Sequence, residues 1–221
     1  MGGARRRRAT RIAVAAGVVV ALGSAALTAG ASTGSQPSRA MQVSKKAFHD
    51  GMRRLWEDHV VWTRLFIVSF AAGLPDLKAT TDRLLQNQVD IGDAVKPFYG
   101  DAAGAKLTRL LTAHILTSAA VLTDAKAGDQ TQLKTDLAAW YANARQIARF
   151  LHRLNPANWP LADLRSMMRD HLDLTLAEAT DRLGGRYRKD IADFGRIERE
   201  ILHMADDLSA GIEAQFPGDF R

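Results

Sequence analysis

Three histidines repeat one local pattern, His-x-x-x-Ser/Thr: His59 with Thr63, His114 with Ser118 and His171 with Thr175. Imidazole is the commonest side-chain ligand for transition metals. A hydroxyl four residues on lies one helical turn away, where it can orient the ring. Each histidine falls in an apolar stripe at helical spacing. His59 lies among Met52, Leu55, Trp56, Trp62, Phe66 and Phe70, and His114 among Leu107, Leu110, Leu111, Val121 and Leu122. His171 and Glu178 lie among Leu164, Met167, Met168 and Leu174, and Glu198 borders the stripe Ile191, Phe194, Ile201, Leu202, Ala205 and Leu208. Three imidazoles and up to two carboxylates are therefore expected to face one interior. Burying such groups unpartnered costs a few kcal/mol each. They must be satisfied by one another, by water or by a metal.

The chemistry this set suits is transition-metal binding (Zn, Fe, Mn or Cu(II)). His59, His114, His171 and Glu178 are the expected ligands, with Glu198 a further candidate and Thr63, Ser118 and Thr175 orienting the rings. The bland reading is three core histidines bonded to Thr, Glu or backbone, with each hydroxyl returned to the carbonyl at i−4, the histidine itself. A b-type haem held by His, or by His with Met167, Met168 or Met204, ranks below a bare ion. A third option pairs His171 with Glu178 as acid and base, but seven helical residues span ~10 Å, too far for contact.

Other motifs carry less. Glu200-Ile201-Leu202-His203 matches one half of a di-iron carboxylate site, which needs a second such motif and two more glutamates, so it reads as a solvated face. His49 and His152 fall near helix ends and read as surface, and Glu57 and Arg64 share a face as a surface pair. There is no Gly-rich phosphate loop after a strand, no Gly-x-Ser-x-Gly and no His-Glu-x-x-His. The absence of cysteine excludes a disulfide scaffold, an iron–sulfur cluster, a thiolate zinc site and a c-type haem.

The elements that must position these residues are helices. Strand alternation is missing and Ala, Leu, Arg and Asp abound. Helices are expected over 44–72, 76–87, a short stretch from 90 to 99, and 101–127, then over 131–154, 161–183 and 188–214, with Gly or Pro at the stops. Long helices with short connections predict an all-α, antiparallel helical bundle. An internal repeat predicts that it is built from duplicated helical hairpins. From His114 and from His171 the chain runs to Asp ten residues on, Gly at fourteen and a helix opening Asp136-Leu-Ala or Asp190-Ile-Ala, with the first loop three residues longer. His59-Val-Val-Trp-Thr63 is a partial third copy.

The 221 residues divide into a signal peptide at 1–31, a Ser/Pro-rich flexible linker at 32–43 and a helical bundle domain at 44–216. The leader has an arginine run, the apolar stretch Ile12–Thr28 and Ala29-Gly30-Ala31 before the expected cut. It predicts an extracytoplasmic protein, secreted or, if the leader stays, membrane-anchored through it alone. Lys and Arg total 30 against 24 Asp and Glu, a net of +6, but five of these arginines lie in the first eleven residues and the remaining 25 against 24 leave +1. The basic pI therefore belongs to the leader and gives no reason to expect a nucleic-acid partner.

The stretches LWEDHVVWTR, DRLLQNQVDIGDAVKPFYG, WYANARQIARFL, HLDLTLAEATDRLGG and MADDLSAGI together span most of residues 55–212. On them the chain resembles a family of bacterial helical-bundle proteins of unknown function, whose members sometimes carry the labels glycosyltransferase or acetylglutamate kinase. No nucleotide-binding pattern in this sequence supports either label. The resemblance implies that His59, His114, His171, Glu178 and Glu198 are shared positions. Family members often have Asp where Gly195 stands and usually lack His at position 203. The resemblance implies no established activity.

Overall fold

The computed structural model describes residues 43–221, so the leader and nearly all of the linker fall outside the described residues. Six α-helices follow one another: α1 (Lys45–Ala72), α2 (Leu77–Tyr99), α3 (Asp101–Ala127), α4 (Gln130–Leu154), α5 (Leu161–Leu183) and α6 (Tyr187–Gln215), with a short 3₁₀ turn at Pro217–Asp219. Among the described residues there is no strand beyond a single bridge between Val43 and Phe220. The expected all-α bundle is what forms.

Local chemistry sets the ends. Ser44 caps α1 by accepting from the Ala47 amide, and Asp129 caps α4 by accepting from Gln132. Gly73 and Gly128 close α1 and α3 in the left-handed conformation, at φ 64° and 74°, which a Cβ would strain. The expected break between 87 and 90 does not occur. Asn87 and Gln88 are fully buried and α2 runs unbroken to Tyr99, with Pro97 tolerated in its last turn.

Each helix packs on its neighbours in sequence, and α6 closes the circle on α1. α5 also touches α1 and α3, so the odd-numbered helices approach one another inside. Met52, Trp56 and Val60 of α1 join the larger apolar cluster with the core of α3 to α6, while Phe66 and Ile67 join a smaller one with Leu84, Ile115, Leu122 and Ala179. No described helix is long and apolar enough to cross a membrane.

Candidate metal centre

The three histidines meet. His59, His114 and His171 are each buried to within 5% exposure. The His59 and His171 ring centroids stand 5.7 Å apart, and those of His114 and His171 stand 6.4 Å apart. Each ring comes from an odd-numbered helix and is held from the even-numbered helix that follows. His114 Nδ1 donates to Asn143 Oδ1 at 2.9 Å, and His171 Nδ1 donates to Glu200 Oε2 at 2.9 Å. His59 turns Nδ1 toward α2, where it accepts from Gln88 Nε2 at 3.3 Å.

Two asparagines share one task. Asn87 Nδ2 donates to the Leu55 carbonyl and Asn143 Nδ2 to the Leu110 carbonyl, in each case four residues before the histidine. Asn143 and Glu200 both lie 29 residues beyond their histidines. The three-residue longer loop expected between the copies is therefore absent from this register, and Asp136 and Asp190 do not occupy matching places. No hydrogen bond joins Nε2 of any of the three rings to a described residue.

Burial pushes the His59 imidazole well below its ordinary pKa and His114 down to about 3, with the neighbouring rings adding to the effect. Both are neutral at physiological pH, as a metal ligand must be. Around them several buried polar atoms lack a hydrogen-bond partner among the described residues: Trp56 Nε1, Gln88 Oε1, Trp140 Nε1 and Glu200 Oε1. Trp56 lies edge-on to His59, and Trp140 lies 5.5 Å from His114.

The other expected site residues are elsewhere. Glu178 is buried, but Arg64 takes it in an ion pair, together with Asp190, which Arg182 also reaches at 3.4 Å. Arg64 is thus a core residue stacked on Phe194 rather than the surface partner of Glu57. Burial raises the Glu178 carboxyl to about 7 even though Arg64 opposes it. Glu198 is half-buried and is not the carboxylate at His171; Glu200 is. Sequence spacing had assigned Glu200 to a solvated face.

The hydroxyls do not orient the rings. Thr63 donates to the His59 carbonyl, Thr175 to the His171 carbonyl and Ser118 to the Ile115 carbonyl, each at 2.8 Å. Thr63 and Thr175 follow the back-bonding alternative, while Ser118 bonds back three residues rather than to its histidine. His203 is exposed, as expected, 3.6 Å from Asp207.

Metal–nitrogen bonds of about 2.0–2.1 Å would set tetrahedrally arranged ring centroids roughly 5 Å apart. The observed separations are wider. Accordingly, among the described residues no three His, Asp or Glu side chains stand arranged to hold an ion without adjustment. Comparison with family models, with curated proteins and with solved structures gives no match, so the cluster is read from its own chemistry.

Proposed function

We propose that this chain is an exported helical bundle that binds one transition-metal ion through the rings of His59, His114 and His171, with Nε2 the ligating atom of the latter two. Export rests on the leader sequence alone. The metal reading rests on one observation: three buried imidazoles from three helices lie ring to ring, two of which, His114 and His171, donate Nδ1–H to a partner on the next helix, while His59 Nδ1 accepts from Gln88. Such anchoring is how proteins fix the orientation and tautomer of a histidine that ligates through its other nitrogen. Bringing His59 and His114 each to bonding separation from His171 takes a shift of about 1 Å against the spacing that Zn–N bond lengths require. The outer partners are Gln88, Asn143 and Glu200, while Glu178 belongs to the Arg64 network and is not a ligand.

A second reading has its own support in the unclosed geometry. The polar layer would then fix helix register without binding anything, a role attested for buried polar groups in some bundles.

The deciding experiment uses the full chain, purified without chelator or affinity tag. It is dialysed in turn against Zn(II), Co(II), Mn(II), Fe(II) and Cu(II), and bound metal is measured by elemental analysis. About one equivalent of at least one ion is expected, lost in His114→Ala and in His171→Ala and kept in His203→Ala. No bound ion, with unchanged melting in all five, overturns the reading. A Soret band in the protein as purified would assign the rings to haem instead.

A further inference from the structure

Charge is distributed unevenly along the α4–α5 hairpin. From Leu137 to Ala162 the chain carries no Asp or Glu, yet it carries Arg145, Arg149 and Arg153. Across the groove α5 adds Arg165 and Arg169, one turn apart. A cleft of about 60 Å³ lies between the two helices, lined by Tyr141, Ala144, Arg145, Arg165, Met168 and Arg169. None of its three arginines forms an ion pair with a described carboxylate; six of the sixteen described arginines do. Asp173 lies one further turn along α5, and the Tyr141 hydroxyl donates to it. Asp170, beside Arg169 in sequence, is exposed and projects from a different face.

Three guanidinium groups around one cleft repel one another unless an anion sits among them. Their planar forks match the paired oxygens of phosphate and carboxylate groups. A small cleft lined by three such groups has room for a single tetrahedral oxyanion. Ala144 follows Asn143, the partner of His114, and Met168 lies one turn before His171, so the cleft backs onto the wall that carries two of the three rings.

We propose that the α4–α5 cleft binds a phosphate group, seated by Arg145, Arg165 and Arg169. It is distinct from the histidine cluster and does not depend on a metal. The phosphate comes either free in solution or on the headgroup of an anionic lipid, and both present the same chemistry to the arginines.

The test is calorimetric titration of the full chain with inorganic phosphate at constant ionic strength, with chloride as the reference. Saturable binding of one equivalent is expected, weakened at least tenfold in the Arg165→Gln/Arg169→Gln variant and unchanged in Arg188→Gln. In parallel, sedimentation with phosphatidylcholine vesicles, with and without phosphatidylglycerol, identifies the source. Because the N-terminal arginines attract anionic vesicles by themselves, the quantity read is the difference between wild type and the double variant. A phosphatidylglycerol-dependent difference that free phosphate abolishes assigns the headgroup, and binding of free phosphate without it assigns the soluble ion. If neither assay separates the double variant from wild type, the proposal fails. Because these arginines are exposed, unchanged far-ultraviolet circular dichroism is expected to exclude misfolding as the cause.

Discussion

Asn143 serves two masters, accepting from His114 Nδ1 and donating to the Leu110 carbonyl inside a closed core. Asn143→Ala leaves a buried ring nitrogen unpaired, at a cost of about 1–3 kcal/mol. Asn87→Ala should cost a similar amount, since Asn87 donates to the Leu55 carbonyl and accepts from Gln88 inside the core. Urea unfolding of both variants checks this, and a large inequality would mean that the two positions are not equivalent. Glu178 gives a second test, through pH. Its carboxyl is raised from an ordinary 4.5 to about 7 by burial, so the folded protein holds that proton more tightly than the unfolded chain. The resulting stabilisation is complete below about pH 4.5 and disappears as pH rises through 7. Glu178→Gln, which cannot ionise, should therefore gain stability relative to wild type between pH 5 and about 8, measured as the difference in unfolding free energy across that range. A difference that runs the other way would show that the Arg64 pair outweighs burial.

Helices α2 and α3 approach through two glycines. A Cβ on Gly104 would fall 2.5 Å from the Gly92 carbonyl oxygen, and one on Gly92 would fall 2.8 Å from the Gly104 carbonyl oxygen. Backbone atoms cannot swing aside as a side chain can, so Gly104→Ala must part the helices. Overpacking of this kind costs about 1–3 kcal/mol, or roughly 2–12 °C in Tm for a domain of this size, readable by calorimetry. Helix ends and the inward faces of α1, α3 and α5 were readable from periodicity and from Gly stops, and so were the three histidines. The orientation of α6 was not. Its first turns bury Asp190 and Asp193 and leave Ile191 61% exposed, the reverse of what hydrophobicity ranks. Arg64, Arg182 and Arg196 supply the compensating charge, two of them from other helices, and such pairing has no local sequence signal. Starting the stripe at Ile191 turned the helix and placed Glu200 outward. The equal 29-residue reach from His114 to Asn143 and from His171 to Glu200 carries the correct register. The matching Asp-Leu/Ile-Ala tripeptides drew the alignment off by three residues.

Taken across the whole bundle, the histidine layer joins helices that are otherwise distant in sequence, so a ligand shared by α1, α3 and α5 would bind the folded chain and not the unfolded one. Stability then rises by RT ln(1 + [L]/Kd), about 2.7 kcal/mol at a hundredfold excess over Kd, or roughly 5–11 °C in Tm. Thermal unfolding of the full chain with and without the ion found by elemental analysis should show that rise, and His171→Ala should lack it. Glu200→Gln keeps a hydrogen-bond acceptor for the ring but removes the charge, so it should retain the rise with metal affinity reduced about 10–100-fold, the usual cost of altering an outer partner. The register-setting alternative makes the opposite forecast. If the rings only specify alignment, replacing all three with leucine and their partners Gln88, Asn143 and Glu200 with apolar residues should leave stability unchanged or raise it by about 1–4 kcal/mol, as for buried polar groups exchanged for well-packed apolar ones. A bundle that gains stability from that exchange and never responds to metal owes its polar layer to architecture; one that melts higher only with the ion and only with its histidines owes it to binding.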